Sequence, residues 1–223
     1  MYGGNPYNPV TPEIDIQVFG GVTFLSNKMK IVSIILAAII LLFSHACSPQ
    51  VDEIADLSER VAKLNIHRND YILGKALSDK QKKKAQRNAL DEASPGTYKF
   101  KDNDLYVVAD RASDRVLVIY ERYEQASRQK IRELVGALFF DFGDPTIMAH
   151  DKIIYWAFDE KGKISEEDYR KAKKEGQPRK AIAIVKLDSS QKIMDKGGSL
   201  DKGSVYYIIS SEPILKIHQE KNS

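Results

Sequence analysis

The sequence predicts an α+β fold, in which a mostly antiparallel sheet is packed by one core helix and preceded by N-terminal helices. Three observations support this prediction. Amphipathic helical patterns occupy residues 51–93, segments dense in β-branched and aromatic residues follow Thr97, and one apolar helical pattern begins after Ser127. Strands and helices that follow one another without strict alternation are typical of the α+β class.

Two helices are predicted before the sheet. In residues 51–64 the apolar positions recur at steps of three and four, which indicates an amphipathic helix. Two heptads are too few for an independently stable coiled coil, so a tether helix that docks on its own domain is favoured over an oligomerising stalk. A second helix is predicted over residues 70–93, where Pro95 and Gly96 end it.

A hairpin and a core helix follow. Residues 104–110 and 115–123 predict two strands joined by the polar turn 111–114. Ser127 then precedes apolar residues at helical spacing, and Gly143 begins the Gly-Asp-Pro sequence that ends this core helix.

Further strands are predicted over residues 152–158, 180–187 and 204–210. A tail strand at residues 214–217 is a further candidate. The acidic residues after Ser165 fit a helix N-terminus, where negative charge meets the positive end of the helix dipole.

Composition limits the classes of function. The chain has 223 residues, and 34 basic against 31 acidic side chains leave a formal net charge of +3. One folded domain is expected, and so small a net charge argues against a nucleic-acid partner. The single cysteine, Cys47, excludes an intrachain disulfide and a cysteine zinc cluster, and neither a metal site nor a cofactor is expected.

A targeting segment is predicted near the N-terminus. Lys28 and Lys30 flank Met29, and the apolar run 31–43 follows. A run of about 13 residues suits a signal peptide better than a bilayer span, which needs about 20. Residues 29–46 are therefore predicted to be the signal peptide, and residues 1–28 a mis-called N-terminal extension.

The end of this segment resembles the lipobox of bacterial lipoproteins. Ala46 precedes Cys47 as in that class, whereas Ser44 and His45 depart from its pattern. The resemblance implies cleavage before Cys47, a palmitate-containing lipid anchor on its thiol, and a location in the cell envelope facing the periplasm. Ser48 is compatible with transfer to an outer membrane, if there is one. An ordinary cleaved signal and an uncleaved short anchor remain alternatives.

A second resemblance covers the end of the core helix and the next strand. Residues 142–146 (FGDPT) and 155–158 (YWAF) are similar to the helix, Gly-x-Pro and Trp-x-Tyr pattern of small outer-membrane lipoproteins related to the barrel-assembly component BamE. That family has two helices before its three strands, whereas a hairpin is predicted before the helix here. The resemblance implies a scaffold role and no enzymatic activity.

These patterns divide the chain into four parts: the extension 1–28, the signal peptide 29–46, a lipid attachment site with a helical tether over 47–95, and an α+β domain over 96–223. His150, Tyr155 and Trp156 form the candidate ligand or partner surface, because His150 directly precedes the aromatic strand. No catalytic residues are predicted.

A basic cluster on the second predicted helix is a candidate for contact with anionic lipid head groups, each lysine contributing about 1 kcal/mol where it reaches them. A solvated helix face is the simpler explanation. The cluster consists of Lys80, Lys82, Lys83 and Lys84.

The expected function is that of a non-enzymatic, lipid-anchored envelope scaffold that binds a membrane through Cys47 and an envelope protein through its domain. A periplasmic module that binds or senses a small ligand or glycan is the alternative. The identity of the partner and the oligomeric state stay open.

Overall fold

The computed structural model describes residues 53–177, 180–193 and 202–222. Cys47 and the predicted extension and signal peptide lie outside the described residues. Gln50–Ser223 forms one compact unit. Its helices and its large antiparallel sheet confirm the predicted α+β class.

The described residues form five helices and eleven strands. The helices are α1 (Glu53–Lys63), α2 (Asp79–Arg87), α3 (Arg128–Phe142), α4 (Glu166–Lys174) and α5 (Glu212–Asn222). The strands are β1 (His67–Arg68), β2 (Tyr71–Ile72), β3 (Ala89–Leu90), β4 (Thr97–Asp102), β5 (Leu105–Asp110), β6 (Val116–Ala126), β7 (Ile147–Ala149), β8 (Ile153–Asp159), β9 (Gly162–Lys163), β10 (Ala183–Ser189) and β11 (Gly203–Ser210).

Nine of these strands form one sheet, and β1 and β2 form a separate hairpin. The order in the sheet is β3-β4-β5-β6-β11-β10-β8-β7, and β9 pairs with β8. Every described pair of neighbours is antiparallel. β11 therefore lies in the middle of the sheet although it is the last strand in the sequence.

The predicted hairpin is confirmed as β5 and β6. In its turn, the carboxylate of Asp110 accepts hydrogen bonds from the backbone N–H and the hydroxyl of Ser113, at 2.7 and 2.5 Å. Asp114 has a φ of 56°. Short polar side chains that bond the backbone and tolerate this conformation favour tight turns.

The predicted core helix is confirmed as α3. The Ser127 hydroxyl accepts a hydrogen bond from the Lys130 N–H at 3.2 Å, and Gly143, with a φ of 67°, ends the helix. This φ favours glycine because other residues place Cβ too close to the backbone. The buried side chains of α3 face the sheet and are Ile131, Leu134, Val135 and Leu138.

The helix predicted over residues 70–93 is wrong in most of its length. Asn69 and Gly74 have positive φ values of 51° and 79°, and over residues 70–73 the buried Tyr71 and Leu73 alternate with less buried residues. This period of two belongs to an extended chain. Helix α2 begins only after Ser78, where a capping box with Gln81 provides the start signal.

The tail strand predicted at residues 214–217 is also wrong, because these residues belong to α5. Pro213 lies in the first turn of this helix, where its missing N–H has no helical acceptor. Ile214 and His218 are buried, and their spacing of four residues places them on one helix face.

The described part of the segment predicted as a tether, residues 53–95, belongs to the folded unit. Ile54, Leu57 and Val61 of α1, with Tyr71 and Leu73 beyond it, belong to the same hydrophobic core as the sheet. The boundary predicted at residue 96 therefore does not separate two packed bodies, because the amphipathic face of α1 buries its apolar side chains against the domain.

The main core lies on one face of the sheet. Along β11, Val205, Tyr207 and Ile209 are fully buried, whereas the alternating Tyr206 and Ile208 are only half-buried. Side chains in a strand point alternately to opposite faces, so the second face of the sheet is the more exposed one. Among the described residues, no helix has the length and apolar character needed to cross a membrane.

Candidate functional site

A continuous row of side chains crosses the more exposed face of the sheet. The registers of β4, β5, β6, β11, β10 and β8 place its members opposite one another on adjacent strands. A second row lies two residues further along the central strands. We call the surface that the two rows form the tyrosine face. The first row is Lys101, Tyr106, Tyr120, Ile208, Lys186 and Tyr155, and the second is Arg122, Tyr206 and Asp188.

The tyrosine face is built from stacked and cation-covered rings. Tyr106 and Tyr120 stack with their ring centroids 4.8 Å apart and an angle of 8° between their planes. Lys101 Nζ lies 5.1 Å from the centroid of the Tyr106 ring. Such contacts hold both partners in place at little cost in conformational freedom, so the surface is preorganised.

Two further cations lie over tyrosine rings in the same way. Arg122 Cζ is 5.5 Å from the Tyr206 centroid, and Lys186 Nζ is 5.7 Å from the Tyr155 centroid. Burial alone would lower the pKa of Lys186, but its hydrogen bond to Asp188 and the nearby Tyr155 hydroxyl raise it. Lys186 therefore carries its charge at neutral pH.

The charge of the tyrosine face is positive on balance. The two rows contain three cations, Lys101, Arg122 and Lys186, and one carboxylate, Asp188. Asp188 is 2.8 Å from Lys186 Nζ, and Arg122 also pairs with the nearby Glu124.

A buried ion pair lies on the opposite face of the sheet. Glu121 is 4% exposed, and its carboxylate accepts a hydrogen bond from Arg68 Nε at 2.7 Å and another from the Tyr123 hydroxyl at 2.6 Å. Burial lowers the pKa of Arg68, but the hydrogen bond and charge of Glu121 raise it overall. Burial raises the pKa of Tyr207, whose ring lies under the Arg68 guanidinium at 5.1 Å.

Arg68 borders a groove of about 450 Å³ at the end of α3. The groove is lined by polar side chains of the β1–β2 hairpin on one side and by Asp141 and Lys163 on the other. Lys163 Nζ donates to the carbonyls of Phe142 and Asp144 at 2.8 and 2.9 Å, so it neutralises the negative end of the helix dipole. The groove therefore combines a fixed cation, a carboxylate and amide-bearing side chains.

The structure does not bring the predicted site residues His150, Tyr155 and Trp156 into one cleft. Trp156 is fully buried, and its Nε1 donates to the Gly143 carbonyl at 2.8 Å. Its ring packs edge-on against Phe139, with the centroids 5.8 Å apart. Adjacent residues on a strand face opposite ways, so Tyr155 belongs to the tyrosine face, while His150 lies in an exposed turn with a φ of 52°.

Two of the four predicted head-group lysines are held by ion pairs within the domain. Lys82 Nζ is 2.7 Å from Asp114 Oδ2, and Lys84 Nζ is 2.6 Å from Asp102 Oδ2. The hydrogen bond with Lys82 lowers the pKa of Asp114, which keeps the pair ionised. Lys80 and Lys83 are exposed on the outer side of α2.

Sequence reasoning missed both the tyrosine face and the Arg68–Glu121 pair. The alternation in β6 was a usable signal for the pair, because Glu121 shares the parity of the buried Ile119. No comparable signal existed for the tyrosine face, since its rows depend on the order of strands that are distant in sequence. Within the described part of the chain, no group of three or more His, Cys, Asp or Glu side chains is placed to hold a metal ion.

Comparison with protein-family models, curated proteins and solved structures found no match to this chain. The resemblances to bacterial lipoproteins and to BamE-related proteins thus stay predictions.

Proposed function

We propose that this protein is a lipid-anchored, non-enzymatic envelope protein that binds an acidic protein partner through the tyrosine face. The observation that carries this proposal is the tyrosine face itself, whose first row spans six strands and whose two rows together hold a cation at three tyrosine rings. Tyrosine and arginine are enriched where proteins bind one another, and they supply contact area at low entropic cost.

The charge of the face indicates the chemistry of the partner. Three cations against one carboxylate in the two rows favour a partner with exposed acidic side chains, because complementary charge steers association and selects among partners. An antiparallel sheet with one half-exposed face offers a wide and open surface. Such a surface suits a folded protein better than a small molecule, which prefers a concave site.

The proposed lipid anchor would place the tyrosine face close to a membrane. Helix α1 begins six residues after Cys47 and packs into the core. A lipid on Cys47 would therefore hold the domain within a short distance of the bilayer. Restriction to a membrane raises the effective concentration for a partner in the same membrane.

Photo-crosslinking from the tyrosine face tests the partner. A benzophenone amino acid in place of Tyr120 should give one defined adduct in intact cells, and the same group in place of Lys174, on the exposed side of α4, is the matched control. Adducts at both positions with the same mixture of proteins, or none at Tyr120, would reject the proposal.

Charge reversal tests the predicted chemistry. The variant Lys101→Glu/Lys186→Glu should lose most of the Tyr120 adduct, because it makes the face acidic toward an acidic partner. Raising the salt concentration should weaken the wild-type adduct, since screening shortens the range of these interactions. An adduct that is unchanged by both treatments would argue against an acidic partner.

Metabolic labelling with palmitate tests the anchor separately. Wild-type protein should incorporate the label, and Cys47→Ala should not. Label in the variant, or its absence from the wild type, would exclude a lipid on Cys47 without bearing on the tyrosine face.

Binding of a small ligand or glycan is a second candidate function, which the groove beside Arg68 supports. Its volume and its mixture of Arg68, Asp141 and Lys163 suit a polar ligand. Titration with a panel of neutral and anionic monosaccharides, monitored by protein NMR, tests this candidate. A sugar that binds should shift resonances of the β1–β2 hairpin in the wild type and not in Asp141→Ala. Shifts that are absent or spread over the surface would remove this candidate.

A further inference from the structure

Helix α2 carries more positive charge than any other described helix. Five of its nine residues are lysine or arginine, and Asp79 is its one carboxylate. Asp79 lies in the first turn, where its charge meets the positive end of the helix dipole. Ala85 is the one residue of α2 that is buried. A helix with so little apolar surface has to be held on the domain by polar contacts.

Two lysines hold α2 on the sheet. The carboxylates that bind Lys82 and Lys84 belong to Asp114 and Asp102. Each of these carboxylates also accepts a hydrogen bond from a tyrosine hydroxyl, at 2.7 and 2.9 Å. Because the two ion pairs lie on one side of α2, they fix the rotation of the helix about its own axis. The opposite side of α2 is therefore directed outward.

Three cations lie on the outward side of α2, and we call them the basic stripe. They are separated by three and four residues, so they share one helix face. The stripe consists of Lys80, Lys83 and Arg87, which are all exposed. Among the residues that the structure describes, none of the three has a carboxylate within ion-pair distance. The domain thus presents a row of cations that it does not neutralise itself.

A recess with an apolar lining borders the start of the basic stripe. Its volume is about 490 Å³, and Lys80 and Lys75 line it together with Asp70. The apolar part of the lining consists of Ile72, Ala76, Leu77 and Val116. Cations beside apolar surface match the boundary region of a bilayer, where charged head groups adjoin the first carbons of the acyl chains.

We propose that the basic stripe contacts anionic phospholipid head groups of the membrane that holds this protein. The proposal rests on the membrane location proposed above. Each cation that reaches an anionic bilayer surface strengthens the contact by about fivefold. A single lipid chain binds a membrane reversibly, and a basic patch supplies the second signal that makes attachment stable. The stripe therefore adds to the anchor and also orients the domain.

This orientation leaves the tyrosine face accessible. Asp102, which binds Lys84, and Lys101, on the tyrosine face, are adjacent in β4, so their side chains point to opposite faces of the sheet. Helix α2 and the tyrosine face therefore lie on opposite sides of the sheet. Helix α1 packs into the core on the side of α2. With the basic stripe on the bilayer, the tyrosine face is directed away from the lipid.

Energy transfer from the full chain to labelled lipids tests the proposal. A fluorescent amino acid replaces Gln86, an exposed and uncharged residue of α2, and the chain is reconstituted in vesicles with acceptor-labelled head groups. Vesicles of phosphatidylcholine with phosphatidylglycerol should give strong transfer, and vesicles of phosphatidylcholine alone should give weak transfer. Added salt should reduce the transfer on the anionic vesicles, since it screens the charges.

Neutralising the basic stripe makes the test specific. The substitutions leave Lys82 and Lys84 in place, so α2 stays docked. Loss of three cations should lower the ratio of membrane-bound to detached α2 by about a hundredfold. Circular dichroism verifies that the fold is retained. The variant is Lys80→Gln/Lys83→Gln/Arg87→Gln.

A second triple variant is the matched control. It removes the same number of charges from the exposed lysines at the end of α4 and should leave the transfer unchanged. This variant is Lys171→Gln/Lys173→Gln/Lys174→Gln.

Equal transfer on the two kinds of vesicle would overturn the proposal. Wild-type transfer in the α2 variant, or an equal loss in the α4 variant, would overturn it as well. The vesicles contain no partner protein, so a chain that floats with them without transfer from residue 86 would exclude the lipid contact and leave the proposed function unaffected. A chain that does not float with the vesicles would exclude the membrane location and the lipid contact together.

Discussion

At the scale of single residues, the core tolerates charge only where it is fully partnered. Glu121 is held by two donors, from Arg68 and Tyr123, and Asp102 accepts from Tyr71 and Lys84 at 2.9 and 2.6 Å. An ionised group taken out of water loses its hydration, so a missing partner is costly. These pairs therefore restrict which substitutions the domain can accept.

Removal of Arg68 should destabilise the protein more than neutralisation of Glu121. Arg68→Ala leaves a buried carboxylate with Tyr123 as its remaining described side-chain donor, and we expect a loss of about 3 kcal/mol in the free energy of unfolding. Glu121→Gln keeps a hydrogen-bond acceptor for Tyr123, and the partly exposed Arg68 can be hydrated by solvent. We therefore expect a smaller loss in the free energy of unfolding, of about 1–2 kcal/mol. Urea denaturation measures both values.

The double variant Arg68→Met/Glu121→Leu is the control for this interpretation. Apolar side chains of similar size remove the buried charges altogether, so stability should recover toward the wild-type value. A double variant that is less stable than Arg68→Ala would show that the pair contributes packing that these side chains cannot replace. Equal losses for the two single variants would contradict the predicted order.

At the scale of elements, Gly74 makes a close backbone contact between the N-terminal segment and the rest of the domain. A Cβ on Gly74 would lie 2.4 Å from the carbonyl oxygen of Ser58 in α1, and Gly74 has a φ of 79°. The Gly74 N–H also donates to the Val116 carbonyl at 2.8 Å, and its own carbonyl accepts from Arg115 at 3.1 Å. Gly74 thus connects α1 to the start of β6.

Gly74→Ala should destabilise the protein by about 2–3 kcal/mol, because it adds a steric clash to the cost of a positive φ. Gly176→Ala is the matched control: Gly176 also has a positive φ, of 67°, but no heavy atom lies near its Cβ position. That variant should lose about 1 kcal/mol from backbone strain alone. Thermal and urea unfolding measure both, and a Gly74 variant no weaker than the control would show that α1 moves away without cost.

At the scale of the whole molecule, tyrosines link stability to alkaline pH. Burial, followed by hydrogen bonds to carboxylates, raises the pKa of Tyr71, Tyr98 and Tyr123 above the ordinary value of 10.0, and burial raises that of Tyr207. In each case the folded protein favours the neutral hydroxyl. The unfolded chain, whose tyrosines are solvated, loses these protons at a lower pH.

Stability should therefore fall as the pH rises above about 10. There the unfolded state binds fewer protons than the folded state, so the slope of the unfolding free energy against pH is negative. Below pH 10 both states are protonated and this contribution is fully present. Urea titrations between pH 8 and 11 measure the slope, and Tyr207→Phe should make it shallower. A slope that is flat or positive above pH 10 would contradict the assignment.

The sequence alone determined the class of the fold and about half of its described regular elements. Residues with period-two apolar patterns became β5, β6, β8, β10 and β11, and Ser127 and Gly143 set the limits of α3. These features depend on local alternation and on capping, which a few neighbouring residues specify. Prediction failed in residues 70–93 and 214–217, where apolar residues are compatible with both a helix and an extended chain.

Only the tertiary structure decided which surfaces exist. Tyr106, Tyr120, Tyr206 and Tyr155 form one face because β11 inserts between β6 and β10, and no local pattern specifies that order. The same packing buried Trp156, which the sequence alone predicted to be a ligand contact. It left Phe140 exposed. Local periodicity tells which side of an element is apolar, whereas the partner that covers each side depends on contacts between residues far apart in the chain.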